Sequence, residues 1–171
     1  IFEDPVENEQ LGEFPSKWDL DYGTIEVAEF SGEQVIAFMT AQSTILPLMD
    51  KEHYLPEKFT IEFEVYFYNK GNEGYYINFF NKVSVRINKE NIQYGGSTTR
   101  AKNGSHDPGW RKVALSFNKR ALKVYLNGER LVNVPNIKEK ITKVRFKALS
   151  HGASSGHPQK YSDRRRGRST L

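Results

Sequence analysis

The stretch WRKVALSFNKRALKVYLNGERL, residues 110–131, is typical of three short strands separated by two turns. Its runs are rich in β-branched and large apolar side chains, which suit a pleated sheet. Asn127 and Gly128 form the strongest hairpin dipeptide in the chain, because a type I′ turn needs positive φ at both central residues. We therefore predict consecutive antiparallel strands here, with Trp110 and Val113 packed inward.

Residues 59–68 form the clearest single strand, since apolar and polar side chains alternate over ten positions. A helix does not produce a period of two over this length. Residues 69–74 contain two glycines and two asparagines, which predicts a hairpin-type loop, and residues 75–80 are then the expected partner strand. Many such short runs and no helical periodicity predict an all-β, antiparallel two-sheet sandwich or a barrel.

Charge and composition restrict the classes of partner. The formal net charge of +4 arises entirely after residue 159, and the preceding residues sum to zero, which argues against a nucleic-acid partner. The arginines of residues 164–168 could attract anions, lipid headgroups or nucleic acid, although a short basic end is more often disordered. The absence of cysteine excludes disulfides and thiolate metal sites, and no apolar run reaches the ~20 residues of a membrane span.

The segment that opens at Trp110 and ends at Asn127-Gly128 resembles the penultimate hairpins of concanavalin A-like lectin and glucanase domains, including laminin-G-like domains. The resemblance implies a jelly-roll sandwich over residues 1–160, followed by a basic, disordered tail at residues 161–171. This superfamily includes lectins, glycosidases and adhesion modules, so the resemblance does not imply one function.

The opening FPSKW, residues 14–18, and the strand at residues 59–68 are similar to a domain that precedes an OmpA-type anchoring domain in exported proteins of Bacteroidetes-type bacteria. That similarity implies an extracytoplasmic location, in the periplasm, the outer membrane or at the cell surface. It also implies a last apolar strand after Tyr161, where this chain instead has arginines.

Glu62 and Glu64 are the only weak candidates for catalysis. Glycosidases need two carboxylates that flank the scissile bond, one as acid and one as nucleophile or base. The two glutamates share a strand face about 7 Å apart, but the Glu-x-Asp-x-x-Glu motif of the resembling glycosidases is missing. A solvated outer face is the favoured interpretation of this pair.

A ligand-binding surface is predicted from aromatic and polar residues on neighbouring strands. If the strand at 59–68 pairs with the strand at 75–80, one surface can hold all of them. The predicted residues are Tyr66, Tyr68, Tyr76, Asn78 and Arg86. Aromatic rings offer flat apolar faces to sugar C–H groups, and amide or guanidinium groups bind hydroxyls. The alternative is cross-strand aromatic pairing that only stabilises the sheet.

No metal site is predicted, because the four histidines are scattered through loops. His106 and Asp107 are too few to hold zinc, which usually takes three or four protein ligands. Some laminin-G-like domains bind calcium at a loop rim through oxygen ligands, and that resemblance implies Asp107 and Asn103 as candidate ligands here. No other cofactor is expected.

The leading functional prediction is a non-catalytic binding or adhesion module of an exported or cell-envelope protein, with carbohydrate as the ligand class. Its partner would be a glycan or a cell-surface protein. One alternative is a glycoside hydrolase-like enzyme that acts at the concave face of a sheet. The other is a structural spacer without a small ligand. The oligomeric state is not predicted.

Overall fold

The computed structural model describes residues 2–155, which form fourteen strands and no helix. The strands are β1 (Trp18–Tyr22), β2 (Ile25–Phe30), β3 (Glu33–Phe38), β4 (Thr44–Pro47), β5 (Lys58–Phe67), β6 (Tyr75–Asn78), β7 (Ser84–Ile87), β8 (Asn91–Tyr94), β9 (Ser97–Arg100), β10 (Gly109–Asn118), β11 (Ala121–Leu126), β12 (Glu129–Val134), β13 (Arg145–Ala148) and β14 (Gly152–Ser155). All the strand pairs are antiparallel.

Two seven-stranded sheets enclose the core. The first sheet has the order β1-β4-β13-β6-β7-β8-β9, and the second sheet has the order β12-β11-β10-β5-β14-β3-β2. The predicted all-β, antiparallel two-sheet sandwich is confirmed. The boundaries at residues 160 and 161 stay predictions, because the tail and the strand expected after Tyr161 lie outside the described residues.

The longest strands, β5 and β10, pair along their full lengths and show how the alternating pattern builds the core. Val113 faces Phe63 across the pair, and Leu115 faces Ile61. Val113 and Leu115 are buried, and each such side chain contributes about 1.5–3 kcal/mol when it leaves water. The hairpin turn at Asn127 has the positive φ that the sequence predicts.

Trp110 corrects one sequence prediction, because it lies on the outer side of the second sheet. Residues three apart in a regular strand point to opposite faces, so Trp110 and Val113 cannot both pack inward. Arg111 takes the inward position and is only 4% exposed. Its guanidinium donates hydrogen bonds to the carbonyl oxygens of Lys89, Ser105 and Asp107 at 2.7–3.0 Å, which holds the long loop before β10 against the sandwich.

The predicted hairpin between residues 59–68 and 75–80 is wrong. Strand β5 pairs with β10 and β14 in the second sheet, whereas β6 pairs with β7 and β13 in the first sheet. The loop between them crosses from one sheet to the other. The Glu73 carboxylate stabilises this crossing by accepting hydrogen bonds from the backbone N–H groups of Tyr68 at 2.6 Å and Lys70 at 3.0 Å.

Strand β14 is the element that the sequence pattern does not reveal. Its residues are Gly-Ala-Ser-Ser, without the apolar alternation of a buried strand, yet it lies between β3 and β5 in the second sheet. Gly152 is required there because a Cβ at this position would lie 2.4 Å from the Tyr75 hydroxyl. That hydroxyl accepts from the Ala153 N–H at 3.1 Å and donates to the Tyr66 carbonyl, so it joins β14 to β5.

Candidate ligand-binding face

The outer side of the first sheet carries polar and aromatic side chains in a row across the strands. Strand β6 alternates, so Tyr75 and Ile77 are buried while Tyr76 and Asn78 point outward. Tyr76 stands opposite Lys147 of β13 on one side and Arg86 of β7 on the other. We call the outward residues of these three strands the polar face, which comprises Tyr76, Asn78, Ser84, Arg86, Arg145 and Lys147.

Tyr76 is at the centre of the polar face and contacts two cations. The Lys147 ammonium is 4.5 Å from the centroid of its ring, and the Arg86 guanidinium carbon is 5.6 Å from it. Arg86 also donates to the Tyr76 hydroxyl at 3.2 Å and to Asn88 Oδ1 at 2.8 Å. The ring therefore has a set position, and the cations beside it present several hydrogen-bond donors.

Asn78 orients a neighbouring turn and a second cation. Its Oδ1 accepts from the Phe80 N–H at 2.9 Å and from Arg145 Nε at 3.2 Å. Arg145 in turn pairs with Asp21 of β1 at 3.0 Å and stacks over the Phe80 ring at 4.3 Å. Asn78 thus holds Arg145 in place beside the Tyr76 row.

Tyr22 extends this row to the edge strand, and sequence reasoning missed it. Plain alternation in β1 would put Tyr22 on the same side as Trp18, which packs inward against Phe146. A bulge between Leu20 and Tyr22 shifts the register and places Tyr22 opposite Thr44, on the outer side. The Tyr22 side chain is 60% exposed.

Lys147 and Arg145 were also missed, although the sequence contained a signal for them. Residues 141–149 form an alternating run in which Val144, Phe146 and Ala148 mark one side, so the intervening residues must point to the other. The sequence could not show that this strand lies beside β6.

The outer side of the second sheet carries a different cluster, the aromatic face, which comprises Phe30, Tyr66, Tyr68 and Trp110. The Tyr66 ring centroid is 4.7 Å from that of Phe30 and 4.8 Å from that of Tyr68. Trp110 lies 5.4 Å from Tyr66. All three contacts are edge-to-face, the arrangement that aromatic quadrupoles favour.

The five residues predicted to share one surface are therefore divided between two. The first sheet holds Tyr76, Asn78 and Arg86, which lie on one surface as the sequence predicts for these three. Tyr66 and Tyr68 belong to the second sheet, because β5 does not pair with β6. Burial, with smaller contributions from the charges of Tyr66 and Glu73, raises the pKa of Tyr68.

The two candidate carboxylates also lie away from the polar face. Glu62 and Glu64 are on β5, in register with Ala114 and Lys112 of β10 in the second sheet. The side chain of Glu64 is not in a solvated position, since the residue is only 1% exposed. Within residues 2–155, the outward positions of β6, β7, β8 and β13 hold no Asp or Glu. The described part of this face thus lacks the carboxylate pair that glycoside hydrolysis requires.

His106 contacts a carboxylate at the opposite edge of the first sheet. Its Nδ1 lies 2.6 Å from Glu90 Oε2, and Arg100 lies 3.5 Å from the same side chain. No group of three potential metal ligands is found within residues 2–155. Calcium binding at Asp107 and Asn103 stays a prediction. Over the same residues, no helix is long and apolar enough to cross a membrane.

A cleft of about 570 Å³ lies between the two sheets. Core side chains form much of its wall, among them Phe38, Phe63 and Phe146, and the wall also includes Glu62, Tyr76 and Lys147. The apolar part suits packing, whereas a sugar needs several hydrogen-bond donors and acceptors beside an aromatic ring. Tyr76 and Lys147 belong to the polar face, which supplies those groups.

No protein-family model matches the chain, and no curated protein matches it in sequence. Solved structures do match. The carbohydrate-binding module CBM66 from Bacillus subtilis is 11% identical, with a TM-score of 0.54 over 82% of this chain and 92% of that one. The β-glucanase of Bacillus licheniformis is 8% identical, with a TM-score of 0.58 over 91% of this chain and 94% of that one.

A glycoside hydrolase family 16 endo-glucanase from Bacteroides ovatus is 12% identical, with a TM-score of 0.56 over 91% of this chain and 86% of that one. At such identities the likeness shows the fold alone. It confirms the concanavalin-like jelly roll that the resemblance of residues 110–131 implies.

Proposed function

We propose that this domain is a non-catalytic carbohydrate-binding module and that its polar face holds the ligand. The observation that carries the proposal is the Tyr76 ring, held between Lys147 and Arg86 on the outside of a rigid sheet. A ring set in place by two strands can stack on the apolar side of a sugar, while the neighbouring donors bind its hydroxyls.

The dimensions of the face suit a short oligosaccharide. Tyr22 on β1 and Arg86 on β7 lie in one row that spans four strand spacings, or about 19 Å. Thr44, Lys147 and Tyr76 occupy the positions between them. Thr44 is only 5% exposed, so the contacts available to a ligand are those of Tyr22, Lys147, Tyr76 and Arg86 along the row, rather than a single pocket.

Structures with this fold include a carbohydrate-binding module and enzymes named for glucan cleavage. They support a carbohydrate ligand but leave binding and hydrolysis open. Binding is favoured here because the described outward positions of β6, β7, β8 and β13 lack carboxylates and Asp21 of β1 is paired with Arg145. A glycosidase needs one carboxylate as acid and one as base or nucleophile.

We also propose that the module acts outside the cytoplasm, on an exported or cell-envelope protein that contacts a glycan or a cell-surface protein. This location rests on the similarity of residues 14–18 and 59–68 to exported proteins with an OmpA-type anchoring domain. Cell fractionation of the full-length protein tests it.

A glycan array with the wild-type domain is the direct test of function, followed by calorimetry on the strongest ligand. We expect Tyr76→Ala to weaken binding at least ~10-fold, or about 1.4 kcal/mol. Tyr66→Ala is the matched control, since it removes another half-buried tyrosine, from the aromatic face. Equal losses in both variants would contradict a binding site on the polar face.

A structural spacer is the second candidate, and the aromatic face favours it. Four rings that contact one another stabilise the sheet without any ligand. An array without a single bound glycan would support the spacer and reject the binding module.

A further inference from the structure

We propose that the polar face prefers acidic carbohydrate, meaning glycans with uronate or sulfate groups. The inference rests on the proposed function and adds the chemical class of the ligand. It starts from two cations, on the two strands that flank β6, that contact one aromatic ring and that have no carboxylate partner within residues 2–155.

The two cations are close to each other. Lys147 Nζ and Arg86 Cζ lie 4.5 and 5.6 Å from the same ring centroid, so no more than about 10 Å separates them. Like charges at this distance repel, and their half-buried position reduces the screening by solvent. An anion bound beside the Tyr76 ring would interact favourably with both.

The nearby cations behave differently, because each of them has an acidic partner. Arg145 pairs with Asp21 at 3.0 Å, and Lys143 lies 3.5 Å from Glu52. The positive potential is thus concentrated at the centre of the row, next to the ring on which a sugar would stack.

Arg86 is also prepared for a carboxylate or sulfate group. Its Nε is held by Asn88 and its Nη1 by the Tyr76 hydroxyl, whereas its Nη2 donates no hydrogen bond within residues 2–155. A guanidinium binds such oxyanions through two parallel N–H groups, which a lysine cannot do.

Gly74 leaves space for this guanidinium. A Cβ on Gly74 would lie 2.9 Å from Arg86 Nε and 3.3 Å from Nη2. The backbone therefore lies against the guanidinium and helps to fix its orientation.

The test compares an oligogalacturonide with its carboxyl-reduced, neutral counterpart by calorimetry at low and high ionic strength. A sulfated galactan oligosaccharide separates sulfate from carboxylate recognition, and polyglutamate serves as an anion without sugar. We expect the oligogalacturonide to bind at least ~10-fold more tightly than the neutral form at low salt, with a smaller difference at high salt.

Lys147→Gln and Arg86→Gln are each expected to weaken binding of the acidic form more than that of the neutral form and so to remove most of this preference, because glutamine keeps a hydrogen-bond donor but has no charge. Lys123→Gln is the matched control, because it removes an equally half-buried lysine from the outer side of the second sheet. It should change neither affinity.

The other outcomes are distinct. Equal binding of the acidic and neutral forms, both lost in Tyr76→Ala, would overturn the acidic preference and leave the carbohydrate site intact. Binding of polyglutamate as tight as that of the oligogalacturonide would show charge attraction without sugar recognition and would also overturn it. Failure of every glycan to bind, on the array and in calorimetry, would reject the preference together with the proposed function.

Discussion

The polar face and the aromatic face lie on opposite outer sides of one sandwich, and both contain half-buried tyrosines. On the aromatic face, Tyr66 is in edge-to-face contact with three other rings. On the polar face, Tyr76 contacts no second ring among residues 2–155 but has a lysine and an arginine beside it. Tyr66 therefore packs against rings of its own sheet, whereas the Tyr76 ring is held in position by polar side chains.

The difference shows that an outward aromatic residue is not by itself a sign of a ligand site. Rings that pack against one another stabilise the folded sheet. A ring whose neighbours are cations and amides leaves donors available to a second molecule. Substitutions on the two faces distinguish these roles.

Trp110→Ala should lower the free energy of unfolding by about 2–3 kcal/mol, since it removes a half-buried ring that packs against Tyr66 and Phe30. Urea denaturation measures the loss, and calorimetry with the array ligand should show unchanged affinity. A variant that keeps its stability and loses the ligand would place the binding site on the aromatic face.

Tyr75→Phe should change the pH dependence of stability and leave ligand binding intact, the converse of Tyr76→Ala. Burial, the largest cause, raises the pKa of Tyr75 above its usual value near 10. Above pH ~10 the unfolded tyrosine ionises while the folded one keeps its proton, so stability falls by about 1.4 kcal/mol per pH unit. Below this pH the contribution is fully present.

In Tyr75→Phe, the free energy of unfolding should fall less steeply with pH, by about 1.4 kcal/mol per pH unit. Urea denaturation between about pH 9 and pH 11 gives both slopes. Tyr54 and Tyr68, whose pKa values are also raised mainly by burial, keep part of the decline in the variant. Identical slopes for the two proteins would show that the Tyr75 hydroxyl is not sequestered between β5 and β14.

Gly74→Ala should weaken ligand binding about threefold, or roughly 0.7 kcal/mol, because the new Cβ displaces the Arg86 guanidinium. Gly71→Ala is the control. It lies three residues before Gly74 in the same crossing loop, and a Cβ there meets no atom within 4 Å. If both variants bind like the wild type, the position of Arg86 does not matter for the ligand.

Tyr22→Ala should have the smallest effect, about a twofold loss that is confined to longer oligosaccharides. Tyr22 lies three strands from Tyr76, so only a ligand that spans the row can reach both rings. Calorimetry with a length series measures this dependence. An equal loss of affinity for short and long ligands would show that one oligosaccharide does not bind along the whole row.

The local pattern predicted which side of each strand a residue occupies, but not which strands share a sheet. The alternation in residues 59–68 and 75–80 correctly separates outward from inward side chains. Their pairing was predicted from a hairpin-type loop, and it fails because β10, more than forty residues later, pairs with β5 instead. Long-range pairing of this kind leaves no mark in the sequence of the loop.

Local irregularities set a second limit. The bulge in β1 turns Tyr22 outward, and it depends on how β1 fits against β4. Strand β14 is formed by small residues that have no strand-like pattern of their own, so its place between β3 and β5 depends on their unfilled edges and on the Tyr75 hydroxyl.

From the sequence, the period-two alternation and the Asn127-Gly128 turn predicted an antiparallel sandwich or barrel, because both are local properties, and the resemblance of residues 110–131 implied the concanavalin-like type. The sequence also predicted that Tyr76, Asn78 and Arg86 share one surface, but it did so together with Tyr66 and Tyr68, through a strand pairing that the structure does not have. Only the tertiary structure separated them from Tyr66 and Tyr68 and brought Lys147 to the Tyr76 ring. Sheet membership decided both, since it arises from contacts between strands far apart in the chain.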